Sequence, residues 1–325
     1  MGMEKEARKP SGKDFKTLEF KRPVKLTKKQ AFKLFIWNPE TNAFCGRTAG
    51  SWGRIGLFYM IFYGVLAALV AICFCAFLQT IDVRRPRWQL EKSLIGTNPG
   101  LGFRPLPPAV NVESTLIWYK GTDKGNYQYW VSALEDFLRK YRRPGQNPGS
   151  GANIHTCDYN HPPGPGQVCS VDAREFAPCT FENHYGYHKS SPCIFLKLNK
   201  IFGWRPEYYN DSSALPEKMP NKLKTHIRRI EDPRMRNNIW VSCEGENPAD
   251  QENIGPINLY PRMGFPGYYY PFENSEGYLS PLVAVHFERP ATGVLINVEC
   301  KAWAKNIIHN RNERQGSVHF ELLID

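Results

Sequence analysis

The sequence predicts a single transmembrane helix followed by a mainly-β exterior domain, an immunoglobulin-like β-sandwich carrying an added helix. Three observations predict it. Residues 55–81 contain no charged side chain. Six of the nine cysteines lie C-terminal to that stretch, at Cys157, Cys169, Cys179, Cys193, Cys243 and Cys300. Aromatics make up 13% of the 325 residues, and 26 Gly with 26 Pro supply turns, a balance that favours β structure with long loops over a helical bundle.

The chain divides into four segments on this reading: a cytoplasmic tail over 1–54, a signal-anchor helix over 55–81, a stalk over 82–110 and a disulfide-bonded extracellular domain over 111–325. Its net charge of +11 invites a nucleic-acid partner, but the excess is local. Residues 1–54 carry 13 Lys/Arg against 5 Asp/Glu, while residues 82–325 carry 29 against 26. A basic segment beside a membrane span is attracted to the anionic lipid of the inner leaflet. No stripe of basic and aromatic residues forms a nucleic-acid module, so that class is set aside. The tail before about Lys28 lacks apolar periodicity and is expected to be disordered.

The apolar core of the anchor runs from Ile55 to Gln79 and is about 25 residues long, enough for a helix to cross a hydrocarbon layer of about 30 Å. Thirteen of its residues are Ile, Leu, Phe or Val. At roughly −0.4 kcal/mol each, insertion gains about 5 kcal/mol with no charge opposing it. A soluble core helix is rarely apolar on every face over this length. A cleaved signal peptide would be shorter and would not follow a 54-residue polar tail.

Flanking charge alone is ambiguous about orientation. Arg47 and Arg54 precede the span, whereas Arg84, Arg85, Arg87 and Lys92 follow it closely. The wider tail, with Lys21, Arg22, Lys25, Lys28, Lys29 and Lys33, points to a cytoplasmic N-terminus. The cysteines arbitrate. An even set of six in a loop-rich region suggests three disulfides in an oxidising compartment, which puts the C-terminal mass outside. Six cysteines allow many pairings, and the sequence by itself does not choose among them. Asn210-Asp211-Ser212 is an N-glycosylation sequon, which modestly supports the same location.

Several strands and one helix follow the stalk. Val112–Tyr119 reads as a strand. Tyr127, Trp130, Val131, Leu134, Phe137, Leu138 and Tyr141 recur at three- and four-residue spacing and form one apolar stripe of a helix that Pro144-Gly145 ends. Residues 143–167 are a Pro/Gly-rich loop. Cys193–Leu198, Asn238–Cys243, Leu282–Phe287, Val294–Cys300 and Ser317–Ile324 read as strands. In the last, Val318, Phe320, Leu322 and Ile324 alternate with Ser317, His319 and Glu321.

At this point the residues resemble a known family. Phe35-Ile36-Trp37-Asn38-Pro39-Glu40, Gly46-Arg47-Thr48, Ser51-Trp52, Phe58-Tyr59 and Phe62-Tyr63 are similar to the run leading into the membrane helix of Na,K-ATPase and H,K-ATPase β subunits. Tyr185-Gly186-Tyr187 before Pro192-Cys193, Leu196-Lys197-Leu198-Asn199-Lys200, Tyr269-Tyr270-Pro271-Phe272, Pro281-Leu282-Val283-Ala284-Val285 and Glu299-Cys300-Lys301-Ala302 resemble further motifs of that family. The resemblance covers about residue 31 to the end. The single sequon favours the Na,K type over the H,K type, and the short 157–169 loop differs from vertebrate members, so an invertebrate-type member is expected.

The resemblance implies consecutive disulfides, Cys157–Cys169, Cys179–Cys193 and Cys243–Cys300. It implies a non-catalytic partner of a P-type ATPase catalytic α subunit, needed for that chain's folding, assembly and plasma-membrane delivery and tuning its K+ handling. A small single-span regulatory subunit and membrane lipid are further implied partners. On the helix, Gly56, Tyr59, Met60, Tyr63, Ala67, Val70 and Phe74 lie near one face, and the resemblance implies that Tyr59 and Tyr63 dock on the α subunit. Read without it, tyrosines at this depth face lipid or form an interfacial belt. The second implied contact is Tyr269, Tyr270 and Phe272, since clustered aromatics are enriched both at interface cores and in ordinary cores.

Other classes are weighed against this reading. A zinc site could draw on His155, Cys157 and His161, or on His184 and His188, but no CxxC pair is present. A Golgi-type glycosyltransferase shares the topology, yet there is no Asp-x-Asp for a metal-bound nucleotide sugar, and Glu135-Asp136 and Glu231-Asp232 read as solvated pairs. No nucleophile elbow, phosphate loop or zinc-protease histidine pair occurs. Catalytic residues, metals and cofactors are therefore not expected. The remaining alternative is a cell-adhesion or receptor ectodomain without a pump partner.

Overall fold

The structure is a computed structural model that describes residues 27–108, 110, 114–142, 151–310 and 313–325. The expected disordered tail and the Pro144-Gly145 helix stop lie outside these described residues. The described residues separate into two compact units, the first ending at Thr80 and the second beginning at Ile81.

The first unit begins with α1 (Lys28–Ile36), where the Thr27 backbone N–H and hydroxyl both donate to Gln30 Oε1 and close the first turn. Three two-residue strands follow, β1 (Trp37–Asn38), β2 (Ala43–Phe44) and β3 (Arg47–Thr48), paired as an antiparallel meander. Cys45 and Gly46 form the β2–β3 turn with φ of 50° and 76°, the two left-handed positions that a two-residue hairpin requires. The Trp52 indole N–H then donates to Phe44 O at 2.8 Å, fastening the sheet to the start of α2 (Ala49–Gln79).

At 31 residues α2 is about 46 Å long, more than a bilayer core needs. It starts six residues before the uncharged stretch, so Arg54 lies in its second turn, where Nε donates to Gly50 O. None of its most apolar 18-residue window is buried against protein, so its apolar surface is open along its length.

The second unit holds two main sheets. Its elements are β4 (Leu101–Arg104), β5 (Leu116–Tyr119), α3 (Lys124–Arg142), β6 (Ile154–His155), β7 (Val168–Cys169), β8 (Cys193–Leu198), α4 (Asn221–Arg229), β9 (Asn238–Gly245), α5 (Pro248–Asn253), β10 (Ile257–Tyr260), β11 (Gly264–Pro266), β12 (Leu282–Phe287), β13 (Ile296–Trp303) and β14 (Ser317–Ile324). One sheet has the order β10-β12-β8-β4 and is antiparallel throughout. The other has the order β11-β9-β13-β14-β5, antiparallel except that β14 runs parallel to β5. The short pair β6–β7 is parallel and stands apart.

The two sheets face each other across one core. Phe320 on β14 stands 5.1 Å from Phe103 on β4 and 6.2 Å from Phe287 on β12, ring to ring. Alternation delivers the inward set: Ile296, Val298, Cys300 and Ala302 on β13, and Phe320, Leu322 and Ile324 on β14. The apolar stripe of α3 joins the same core through Tyr127, Trp130, Val131, Leu134, Leu138 and Tyr141. A second, smaller core lies on the far side of β9, where Leu223 and Ile227 of α4 pack with Met219, Trp240 and Trp303.

Several boundaries differ from the sequence expectation. Leu101–Arg104, assigned to the stalk, is an edge strand, because Leu101 and Phe103 bury against β8. Asn98 is also tied to this unit by a reciprocal pair, its Nδ2 donating to Ile308 O and the Ile308 N–H to its Oδ1. The first strand of the domain begins at Leu116 among the described residues, and the strand expected at Val294 begins at Ile296 and continues to Trp303. The Cys243–Cys300 bridge joins register partners within one sheet, whereas the immunoglobulin hallmark disulfide links two sheets.

Candidate partner-binding surfaces

Aromatic spacing on α2 builds the first surface. Residues four apart lie one helical turn apart on the same face. The Tyr59 and Tyr63 rings stack with centroids 6.0 Å apart, and beside them Phe58 and Phe62 stack at 6.2 Å. Edge-to-face contacts of 5.4 Å join the two columns. Both tyrosines are about half exposed, at 49% and 60%. The phenylalanine column belongs to the same four-ring patch, although the sequence reading took only the tyrosines as contacts; the shared i to i+4 spacing is the signal that could have found it. In lipid such a patch gains nothing from the hydrophobic effect and must bind through close packing and polar contacts, which two phenol hydroxyls can supply.

The second surface is the run from Tyr268 to Phe272. It opens with a 3-10 turn, Gly267–Tyr269, in which Gly267 is required: a Cβ there would strike the Tyr208 hydroxyl and Asn237 O. The Tyr269 hydroxyl donates to Ser170 O at 2.8 Å, beside the Cys157–Cys169 bridge. Tyr270 turns its ring to Trp204 at 5.8 Å and packs against the main core. Phe272 meets Tyr278 at 5.0 Å, and the Lys200 ammonium lies 4.8 Å from its ring and 5.0 Å from that of Tyr278.

Burial dominates the chemistry of this run. It pushes the Tyr268 hydroxyl up to about 12 and holds Tyr269 and Tyr270 higher still, so all three remain neutral donors at physiological pH. Tyr269, Tyr270 and Phe272 are thus half-buried; Tyr269 and Tyr270 line a cavity of about 530 Å³ with Arg205, Tyr159 and the 162–167 loop, whereas Phe272 lies outside that lining. Asn210 is exposed, with Arg236 donating to its backbone carbonyl, so its side chain is accessible.

All six cysteines after residue 81 are bridged, as Cys157–Cys169, Cys179–Cys193 and Cys243–Cys300. Cys45, Cys73 and Cys75 are free thiols. Cys157 is therefore occupied, and His161 Nδ1 lies 3.1 Å from Asp158, whose carboxyl that contact holds below its usual range. The His184 and His188 rings are 5.4 Å apart. Among the described residues no three His, Cys, Asp or Glu side chains converge as a metal site.

Comparison with known proteins places this arrangement. The family model described as "Sodium / potassium ATPase beta chain" matches residues 22–320. The Drosophila melanogaster sodium/potassium-transporting ATPase subunit beta-2 is 64% identical over 308 residues, covering 94% of this chain and 95% of its own. The Drosophila subunit beta-1 is 45% identical over 320 residues, covering 98% and 99%. The human subunit beta-2 is 29% identical over 316 residues, covering 91% and 94%.

Proposed function

The chain belongs to the sodium/potassium ATPase β-chain family, and from that premise we propose that it is the non-catalytic subunit that folds with a P-type catalytic α subunit, carries it to the plasma membrane and tunes its potassium handling. The observation that carries the proposal is α2 itself. Its membrane-length apolar surface has no protein cover among the described residues, and one end carries the stacked Tyr59–Tyr63 pair. We read that pair as the docking contact for an α-subunit helix, with Tyr269, Tyr270 and Phe272 forming a second contact outside the membrane. The remaining face of α2 meets lipid or a small single-span regulatory subunit.

The topology proposed is type II: residues 1–54 in the cytoplasm, the helix spanning the membrane, a stalk that ends before Asn98, and an exterior sandwich whose layering is immunoglobulin-like. The division of the cysteines supports it, since every bridged one follows the span and every free one precedes it or lies within it. Glycosylation of Asn210 is expected on the same side.

The test is co-purification of the full chain with a P-type ATPase α chain from detergent-solubilised membranes, comparing wild type with Tyr59→Leu/Tyr63→Leu. Stoichiometric recovery with wild type, and reduced recovery with altered cation affinity in the variant, is expected. Recovery and cation affinity unaltered by the double substitution would remove the docking role. Failure of the wild-type chain to recover any α subunit would remove the function. A glycosidase-sensitive mobility shift that disappears in Asn210→Gln checks the orientation, and an unglycosylated wild-type chain would count against an exterior sequon.

A further inference from the structure

The far side of β9 holds a cavity that the proposed assembly does not use. Asn238 and Trp240 are two residues apart on this strand and therefore share a face. They are almost wholly buried, at 2% and 1% exposure. Yet neither Asn238 Oδ1 nor the Trp240 indole Nε1–H has a hydrogen-bond partner among the described residues. Buried polar groups are nearly always paired, because an unmade hydrogen bond in the interior is costly. Both residues line a cavity of about 350 Å³ whose other walls include Ile230, Met235, Leu259 and Met263. That volume falls at the small end of ligand pockets, about 300–1,000 Å³.

The lining selects a ligand class. It contains no carboxylate; its one guanidinium, Arg262, lies over the Tyr159 ring at 5.3 Å, and its imidazole, His226, stands edge-on to Trp240 at 5.8 Å with burial and then Arg229 favouring its neutral form, so nothing here calls for a charged guest. The aliphatic walls, two of them adaptable methionines, take a compact carbon skeleton. The indole is a donor only, and the carboxamide oxygen is an acceptor. A hydroxyl is the smallest single group that satisfies both at once, accepting from one and donating to the other. A ketone would meet the indole alone, and a hydrocarbon would meet neither.

We propose that this cavity binds a compact, uncharged apolar alcohol, whose hydroxyl accepts from Trp240 Nε1–H and donates to Asn238 Oδ1. The site does not depend on the pump reading, because it is built wholly within the second unit, from α4, β9, β10 and loop residues that include Tyr159. The test uses the full chain in detergent micelles with ¹⁵N-labelled tryptophan, and three probes of one carbon skeleton: menthol, menthone and p-menthane. The Trp240 indole signal is assigned among the eight tryptophans by its loss in Trp240→Phe. Menthol should shift that signal saturably, menthone should bind about tenfold more weakly, and p-menthane should give no saturable shift.

Asn238→Leu should weaken menthol binding about tenfold. Met235→Trp, at the 48%-exposed mouth, should fill the cavity and abolish the shift without touching the polar pair. No shift, or a linear shift equal for menthol and p-menthane, means water or micelle partitioning only and overturns the proposal. So does menthone binding as tightly as menthol, or unchanged affinity in Asn238→Leu. If Asn238→Leu does not fold, an undiminished saturable shift in Met235→Trp overturns it instead.

Discussion

Replacing Cys243 and Cys300 together by alanine should destabilise the second unit more than removing either other bridge. The bond joins positions that the β9–β13 ladder already holds opposite one another, so little of its effect can come from positioning the native strands. Its contribution must come mainly from the unfolded chain, where it closes a separation of 57 residues, against 12 and 14 for the other two. On the chain-entropy account this amounts to about 4 kcal/mol for the long loop and about 3 kcal/mol for each short one. Cys300 is fully buried and Cys243 nearly so, so truncation also opens a small cavity in the core, adding roughly 1 kcal/mol. Cys179 and Cys193 are likewise buried, whereas Cys157 is not, so the expected order of loss is 243–300, then 179–193, then 157–169.

The assay is urea unfolding of the three double-alanine variants as full chains at fixed detergent and protein concentration, followed by tryptophan fluorescence. The slope of stability against urea should also rise most for the 243–300 variant, because its unfolded state expands most. A 243–300 variant that loses no more than the 157–169 variant would refute the reasoning. The bridges would then act through native packing, not by restricting the unfolded chain.

Two further outcomes follow from the packing. Phe320→Ala removes the ring shared by Phe103 and Phe287 at the meeting of the two sheets and should cost about 3–5 kcal/mol; a loss near zero in the same urea assay would mean that the sheets do not meet through that ring. Acidification should act through His286, whose pKa burial lowers and whose buried Nδ1 has no partner among the described residues while Nε2 contacts the Ser191 hydroxyl at 2.9 Å. Because the unfolded chain takes up the proton first, stability should fall as pH drops below about 6.5 and level off beneath the folded pKa. Stability measured from pH 8 to 5 should fall less steeply in His286→Gln, and identical slopes would exclude the residue.

The elements legible in the sequence were those whose signal is local. Twenty-five uncharged residues announce α2, one apolar stripe announces α3, and the compact apolar runs of β8, β12 and β14 give their limits directly. What was not legible depends on distant partners. β4 is four residues among glycines and prolines and becomes a strand only by pairing with β8. α4 contributes only Leu223 and Ile227 to a core, because Trp240 and Trp303 complete it from strands far along the chain. The parallel pairing of β14 with β5 joins opposite ends of the domain and leaves no periodic trace. The candidate contacts were visible only through the family resemblance. On a helix apolar all round, spacing cannot separate a partner-facing tyrosine from a lipid-facing one, and three consecutive tyrosines look alike whether they serve a core or an interface.

Orientation shows how two weak physical signals combine into a usable one. The charges nearest the span favour the wrong side, with Arg84, Arg85 and Arg87 just beyond it, and only the wider basic tail opposes them. Redox chemistry is independent of that balance. A half-buried free thiol at Cys45 suits a reducing compartment, while three bonded pairs closing loops of different lengths suit an oxidising one. The change from free to bonded falls across α2, where a membrane would separate the two compartments. On the proposed type II topology, positive charge after the helix would be tolerated because the whole N-terminal segment, with its excess of eight positive charges, outweighs it at the inner leaflet. On that topology Tyr269, Tyr270 and Phe272 would lie on the bonded side and Tyr59 and Tyr63 within the span. A partner meeting both proposed surfaces would therefore have to be a membrane protein with exterior loops of its own.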